Sequence, residues 1–243
     1  MVLFIINLLN INYMKLKVEF TKNIEPVSFG YVSNLNGYLH KVLGSNNEYH
    51  DDISLYSTSF LHDGKISKNK KYFDFPNGAI WYVSSPDKDF IKNFITNIYQ
   101  NVDFAFGMKL KGVELVETEI KDENGYYLFH TKSPILLKQR DFETRKNVYY
   151  TYEDDVKTTS ELMKSIILKK AEKASMPIKN EDFDISFDYE YPMKKIKWIS
   201  IKTVNNKTSV CPVFIKTNKP EVAEFIYAVG VGHSTGSGFG FLL

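Results

Sequence analysis

The chain contains a single cysteine, Cys211, among its 243 residues. One cysteine excludes an internal disulfide framework, a cysteine-rich zinc ribbon and an iron–sulfur site. Because free cysteine behaves as a small hydrophobe, Cys211 is expected to be a buried core residue. The predicted compartment is therefore a reducing cytoplasm.

Arginine is almost as scarce, because only Arg140 and Arg145 stand among the 31 basic residues and the others are lysine. The 29 acidic residues bring the net charge to +2, which leaves no charge excess to suggest a tail that wraps a polyanion. Hydrophobic residues at 43% and charged residues at 25% are typical of a globular chain with a proper core. The total charge therefore says nothing about a partner, and only its local distribution can.

No apolar run is long enough to span a bilayer. Residues 1–13 are uncharged and mostly apolar, but no basic segment precedes them and no small-residue cleavage site follows them, so they are not interpreted as a signal peptide. Met14 is an alternative start, because the following residues alternate as a first strand. No membrane partner is predicted.

The first half reads as strand, helix, two strands, helix, strand. The helices are expected between Ser33 or Asn34 and Gly44, and after Ser85-Pro86-Asp87. The strands are expected at Lys15–Phe20, Ile53–His62, Ala79–Ser84 and Met108–Val116. This β-α-β-β-α-β order is the ferredoxin-like pattern, an α+β fold with two helices on one face of an antiparallel sheet.

The second half repeats that order. Its first helix is predicted to begin at a capping box, Thr158-x-x-Glu161, and its second to run from Pro220 to a left-handed Gly230. Its strands are expected at Tyr126–His130, Phe183–Tyr189, Lys197–Thr203, Val210–Lys216 and, briefly, 238–243. With a boundary near residues 117–124, the sequence predicts two tandem ferredoxin-like domains, 14–120 and 121–243.

Five of the chain's 13 glycines lie in one segment after the last helix: Gly230, Gly232, Gly236, Gly238 and Gly240. Glycine allows backbone N–H groups to approach a bulky anion, so one interpretation is a phosphate cradle. The other is a loop that needs several positive-φ residues. A P-loop or dinucleotide fingerprint is excluded, because those motifs follow a strand and open a helix.

These features together resemble a family of repeat-associated RNA-binding proteins of CRISPR systems, the endoribonucleases that cut the repeats of precursor CRISPR RNA. The resemblance rests on the helix start Asn34-Leu35-Asn36-Gly37, on Ser133-Pro134 and on the glycine-rich segment, within the duplicated order. It implies CRISPR repeat RNA as the partner, and it allows other subunits of an effector complex as further partners.

In this family, RNA meets a basic surface of the second domain and the cleft between domains. Residues 191–220 contain seven lysines and no acidic residue, which favours phosphate contacts there. The predicted RNA-binding residues are Gly230, Gly232, His233, Ser234, Gly236, Ser237, Gly238, Gly240, Lys132, Lys138, Arg140, Lys194, Lys195 and Lys197. For any single lysine, ordinary solvated surface is the alternative.

Two histidines match the catalytic positions that the resemblance implies. RNA is cut without metal or cofactor when a base activates the ribose 2′-OH and an acid protonates the departing 5′-oxygen, leaving a 2′,3′-cyclic phosphate and a 5′-OH. His50 matches the family's histidine after the first helix, and His40 matches its second residue on that helix. The helical wheel places His40 away from the apolar face. The family's lysine soon after the histidine is missing, so Lys41 or a second-domain lysine would supply the cation.

Three alternatives remain beside this interpretation. A non-catalytic repeat-RNA-binding subunit would share the fold and the loop but would not need His40 or His50. An RRM-like RNA binder is suggested by Gly238–Leu242, but that strand would have to precede a helix. A metal hydrolase is suggested by His50-Asp51 and His62-Asp63, but these pairs flank a strand and lack further ligands, so no metal is predicted.

Overall fold

The computed structural model describes residues 14–44, 49, 53–116, 120, 123–201 and 203–243. In the first half the elements are β1 (Met14–Phe20), α1 (Val32–Leu43), β2 (Ser57–Thr58), β3 (Lys65–Ile66), β4 (Phe73–Asp74), β5 (Ala79–Ser85), α2 (Lys88–Ile98) and β6 (Leu110–Leu115). In the second half they are β7 (Tyr126–Phe129), β8 (Leu137–Arg140), β9 (Asn147–Tyr150), α3 (Val156–Lys173), β10 (Asp184–Phe187), β11 (Lys195–Ile201), β12 (Val204–Val210), β13 (Val213–Lys216) and α4 (Pro220–Val229). The fold is mixed α/β with antiparallel sheets.

The first half is built on a four-stranded antiparallel sheet in the order β2-β5-β1-β6. Alternate residues of β1, namely Leu16, Val18 and Phe20, are buried and belong to the same apolar core as the inward faces of α1 and α2. All four strands predicted for this half lie in this one sheet. The hairpin of β3 and β4 was not predicted.

The predicted strand Ile53–His62 is much shorter than expected. Only β2 pairs regularly with β5, and His62 then forms an isolated bridge with Ile80 in a register shifted by one residue. Between these points the backbone N–H of Phe60 donates to the Ser133 hydroxyl at 3.0 Å, and that of Leu61 donates to the Tyr31 hydroxyl at 3.1 Å. The regular pairing with β5 ends there because the Leu61 N–H, which would face β5, binds the Tyr31 hydroxyl instead.

The second half contains a three-stranded sheet in the order β10-β13-β7. The predicted terminal strand is reduced to one bridge, between Thr131 and Leu242. The predicted strand Lys197–Thr203 does not join this sheet, because β11 pairs with β12 in a separate hairpin. Pro212 follows that hairpin and lacks the N–H that a continuous strand to Lys216 would need, so β13 begins only at Val213.

The helices of the second half begin where local caps allow. The predicted capping box at Thr158 is wrong: the N-cap of α3 is Asp155, three residues earlier, and its carboxylate accepts the Thr158 N–H at 2.8 Å. The prediction for α4 is confirmed, with Pro220 in the first turn and Gly230 at a φ of 70° after the last. Of the helices in the described ranges, none is long and apolar enough to cross a membrane.

The face of the first sheet that points away from its helices packs on the second half. Tyr82 stacks on Phe241 with centroids 5.8 Å apart, and Phe60 meets Phe239 edge-on at 5.5 Å. Lys15 is buried in this contact, where its Nζ lies 2.5 Å from the Leu242 carbonyl oxygen and 3.2 Å from the Tyr227 ring centroid. This contact brings the two halves together beside α1 and the glycine-rich segment.

Candidate functional site

A cleft of about 640 Å³ lies between the two halves. One wall comes from α1 and residues 53–56, and the other from α3 and the loop 232–237. Its lining residues are Asn36, His40, Tyr49, Ile53, Ser54, Tyr56, Ile166, Lys169, Lys170, Gly232, His233, Ser234, Thr235, Gly236 and Ser237. No carboxylate is among these described residues, so the described part of the lining carries neutral and basic groups.

His40 lies in the last turn of α1, on the side of the helix that faces the cleft. Leu35, Leu39 and Val42 form the buried face of the helix, as the apolar spacing predicted. Asn36 precedes His40 by one helical turn and lines the same wall. The structure therefore presents the His40 imidazole to the cleft and not to the core.

His50 lies outside the described residues, and so do Asp51 and Asp52. Its neighbour in sequence, Tyr49, is described and lines the cleft. The Tyr49 ring packs edge-on against Tyr56 and Phe90, with centroid distances of 6.3 and 5.0 Å. Its hydroxyl donates to the Asp87 carboxylate at 3.3 Å. The chain therefore reaches the cleft one residue before the predicted catalytic position.

The glycine-rich loop owes its glycines to close packing. A Cβ atom on Gly240 would lie 1.8 Å from the Val231 carbonyl oxygen, and one on Gly232 would lie 2.6 Å from that of Leu136. Gly230 closes against the Gly240 carbonyl oxygen in the same way, at 2.7 Å. Real side chains never approach so closely, which explains the glycine at these positions without a ligand.

The same loop fastens the second half to the first. The Ser57 hydroxyl donates to the Ala228 carbonyl at 2.8 Å, and the Thr58 hydroxyl donates to that of Gly236 at 3.3 Å. The Thr235 hydroxyl donates to the Tyr56 carbonyl at 3.1 Å. Because these bonds hold both walls, the width of the cleft is set by the loop.

Three loop residues keep exposed surface in the cleft: Ser234, which is exposed at a φ of 57°, and the half-buried His233 and Ser237. The Nδ1 atom of His233 accepts the Lys138 backbone N–H at 3.4 Å. Burial and the nearby Lys138 lower the pKa of His233 to about 4. Its ring is therefore neutral near pH 7.

Two neighbouring lysines of α3 line the cleft, and the sequence did not single them out. Lys169 is exposed, whereas Lys170 is 3% exposed and donates to the Val229 carbonyl at 2.7 Å. The apolar spacing contained a signal for Lys170, because it follows Ile166 and Ile167 at helical intervals on the buried face. Asn36, Ser54 and Tyr56 had no such signal.

The predicted lysines and Arg140 lie outside the cleft. Arg140 and Arg145 flank the tip of the β8–β9 hairpin, where the Phe142 side chain is 91% exposed. On the β11–β12 hairpin, Lys195 and Lys197 are exposed, as is Trp198 at 66%. Lys132 is exposed, whereas Lys138 and Lys194 are half-buried. Gly230, Gly238 and Gly240 are buried and do not line the cleft.

Within the described ranges, no group of three His, Cys, Asp or Glu side chains is placed to hold a metal ion. His62 is half-buried at the bridge to β5, and burial and Lys132 lower its pKa to about 4. His130 is exposed at the end of β7, beside the Tyr191 ring. Neither histidine reaches the cleft that contains His40.

Solved structures with this fold cover nearly the whole chain. A Cas6-related protein from Pyrococcus furiosus superimposes with a TM-score of 0.79 over 95% of this chain and 98% of its own, at 18% identity. A RAMP protein that binds different RNA substrates gives a TM-score of 0.77 over 94% of this chain and 98% of its own, at 19% identity. The fold is therefore that of the Cas6-related proteins.

The family model "CRISPR associated protein Cas6, C-terminal" matches residues 115–243, more than half of the chain. This chain belongs to the Cas6 family. The CRISPR-associated endoribonuclease-like protein Cas6nc of Pyrococcus horikoshii is 26% identical over 189 residues, 77% of each chain. The endoribonuclease-like Cas6 protein of P. furiosus is 28% identical over 166 residues, 66% of each chain. The resemblance identified in the sequence is confirmed.

Proposed function

We propose that this protein cuts CRISPR repeat RNA in the precursor transcript and leaves 2′,3′-cyclic phosphate and 5′-OH ends. The observation that carries the proposal is that His40 lines a cleft with Lys169, Lys170 and no described carboxylate. A phosphodiester is an anion, so such a lining suits it. Membership of the Cas6 family supports repeat RNA as the substrate.

The proposed chemistry needs two proton transfers and no metal ion or cofactor. A base removes the ribose 2′-OH proton, the oxygen attacks the adjacent phosphorus, and an acid gives a proton to the 5′-oxygen as its bond to phosphorus breaks. His40 and His50 share these roles, His40 from its place in the cleft and His50 from the resemblance. Positioned groups of this kind accelerate reactions by about 10²–10⁴-fold.

Lys169 is the proposed cation for the transition state, in which charge accumulates on the phosphoryl oxygens. It is exposed, it lines the same cleft as His40, and it comes from the second half of the chain. Lys41, the other alternative from the sequence, is exposed on α1 but is not part of the lining. The cleft therefore offers a substitute for the lysine that the family carries after the histidine and that this chain lacks.

RNA binding is proposed to extend from the cleft over both hairpins of the second half. His233, Ser234 and Ser237 contact the RNA in the cleft, while Gly232 and Gly236 shape the loop that presents them. Outside the cleft, the phosphate backbone of the RNA is proposed to contact Lys132, Lys138, Arg140, Lys194, Lys195 and Lys197. Gly230, Gly238 and Gly240 contribute by letting the loop close.

The wider setting follows from the same family. We propose that the halves are ferredoxin-like domains, residues 14–120 and 121–243, and that the protein works in the cytoplasm, where other subunits of a CRISPR effector complex are further partners. The order β2-β5-β1-β6 of the first sheet supports the first of these proposals. In the second sheet the order β10-β13-β7, with the bridge at Leu242, repeats it.

The deciding experiment incubates the full chain with its cognate repeat RNA in EDTA and analyses the product ends. We expect cleavage with a cyclic phosphate, and no cleavage when the ribose 5′ of the cut is deoxyribose, although that RNA still binds. Activity that disappears in EDTA and returns with a divalent ion would overturn the mechanism. Tight binding without any cleavage would favour the non-catalytic subunit.

A further inference from the structure

Lys170 is a buried amino group at the edge of the proposed active cleft. It occupies the apolar face of α3, between Ile167 and Ala171, where a lysine is costly because its charge loses water. Its hydrogen-bond partners include no carboxylate. A methionine or leucine would fill the same space more cheaply, so the amino group has a role other than packing.

The three hydrogen bonds of Lys170 go to the end of α4 and to the glycine-rich loop. Its Nζ donates to the carbonyls of Val229 at 2.7 Å and Gly230 at 3.3 Å, and to the Thr235 hydroxyl at 2.9 Å. The Thr235 hydroxyl in turn donates to the Tyr56 carbonyl. Lys170 therefore ties α3 to the end of α4, to the loop and, through Thr235, to the first half.

This arrangement fits an ammonium group better than a neutral amine. An ammonium has three N–H donors for three acceptors, whereas an amine has two donors and a lone pair. That lone pair would face one of the three acceptors, and the Thr235 hydroxyl cannot donate to it while its proton goes to Tyr56. Burial opposes the charge and lowers the pKa of Lys170 to about 7. The hydrogen bonds therefore stabilise the protonated form of Lys170, and its burial destabilises that form.

We propose that Lys170 is a positioning residue of the cleft: its ammonium holds the loop that presents His233 and Ser234, so that RNA phosphate and a proton on Lys170 bind together. This rests on the proposed function. The titratable groups that line the cleft beside it are Lys169 on α3, His233 on the loop, His40 on α1, Tyr49 and Tyr56. Lys170 donates to the backbone carbonyls of Val229 and Gly230 at the end of α4, and no described carboxylate accepts from it, so a bound phosphate is the anion that would keep it protonated.

The first test uses the protein without RNA and follows the lysine Cε resonances in ¹³C-lysine-labelled protein between pH 5 and 9. The resonance lost in Lys170→Met is that of Lys170. It should titrate near pH 7, and the amide shifts of Thr235 and Gly236 should follow the same midpoint in the wild type. If the amide shifts of Thr235 and Gly236 do not change with the titration of Lys170 in the folded protein, the anchoring role is overturned.

The second test measures RNA affinity with a repeat that carries deoxyribose at the cut, between pH 6 and 8. The RNA affinity of the wild type should fall about tenfold from pH 6 to pH 8, because above pH 7 binding must be accompanied by protonation of Lys170. Calorimetry in two buffers of different ionisation enthalpy should show proton uptake at pH 7.5. Lys170→Met should bind without that uptake, whereas Lys157→Met, on an exposed turn of the same helix, should behave as the wild type.

The possible failures point to different conclusions. Binding by the wild type without proton uptake would overturn the coupling while leaving the proposed function intact. No binding at any pH would contradict the proposed function and the coupling together, and the RNA-free titration would still judge the anchor. If Lys170→Met does not fold, Thr235→Val serves as a second test variant, because it removes one acceptor of Lys170 and the hydrogen bond to Tyr56. Thr235→Ser is its control, because serine keeps the hydroxyl that makes both. The valine variant should then lose the linked amide titration and the serine variant should retain it.

Discussion

Gly238 lies against the ring of Phe60, one residue from each half of the chain. A Cβ atom on Gly238 would stand 2.7 Å from two ring carbons, and the glycine has a φ of +95°. Gly236 approaches the Tyr56 ring in the same way, at 2.9 Å. The loop and the first sheet can meet only because these positions lack side chains.

Gly238→Ala is therefore expected to lower the free energy of unfolding by about 2 kcal/mol or more, through overpacking and a left-handed backbone. Urea denaturation measures the effect. Gly37→Ala is the matched control, because Gly37 lies in α1 with open space around its Cα, and alanine there should stabilise by about 0.5–1 kcal/mol. A fully stable Gly238→Ala variant with weakened RNA affinity would instead support direct contact between this glycine and phosphate.

His40→Ala is expected to lower the single-turnover cleavage rate by about 10²–10⁴-fold with little change in RNA affinity. Affinity should persist because phosphate contacts elsewhere position the RNA. His50→Ala should have a similar effect, and a smaller loss at His40 than at His50 would indicate a helper role. If both variants cleave at the wild-type rate, the catalytic assignment is wrong and His233 becomes the next residue to replace.

Replacing Lys195 and Lys197 together by glutamine should reduce the salt dependence of RNA binding. Each lost phosphate contact lowers the slope of log K against log salt by about 0.7 for single-stranded RNA. The slope is measured by titration at several salt concentrations, with Lys157→Gln as a control from the exposed start of α3. An unchanged slope would mean that this face of the β11–β12 hairpin points away from the RNA.

Lys15→Met should flatten the pH dependence of stability between pH 7.5 and 9.5. Burial holds the pKa of Lys15 well below its ordinary value, so in this window the unfolded chain binds more protons than the folded one. Stability therefore rises with pH, by at most about 1.4 kcal/mol per pH unit for one group.

Urea denaturation at three pH values gives that slope. Lys17→Met is the control on the same strand, because hydrogen bonds to Glu19 and Glu114 raise the pKa of Lys17 and leave it charged in both states. A slope that is the same in wild type and Lys15→Met would show that the Lys15 ammonium is not desolvated in the folded protein.

Elements with local signals could be predicted from the sequence. The spacing of α4, with Pro220 at its start and Gly230 after its end, fixed the helix, and the apolar spacing of α1 placed His40 outside the core. Cys211 is buried as expected. These features depend on residues within two or three turns of one another, which a single sequence displays.

What depends on distant residues could not be predicted. The glycines of the loop are required by close contact with Tyr56, Phe60 and Leu136, which are remote in sequence. Lys15 reads as a polar residue of an amphipathic strand, and only the second half of the chain buries it. The hairpin β8–β9 has Asp141 and Thr144 in its turn, and the Asp141 carboxylate accepts the Thr144 N–H at 2.6 Å. This turn, unlike the contacts above, depends on neighbouring residues alone.

The hydrogen bonds from Ser57, Thr58 and Thr235 across the halves link the two walls of the cleft directly. Walls that are linked in this way resist movement relative to each other, so we expect the cleft to keep its shape when RNA binds. The RNA strand must then adapt to the cleft, and it loses conformational entropy when it does so. Repeats already bent to that shape should be the preferred substrates, and discrimination among transcripts becomes a matter of RNA stiffness as much as of sequence.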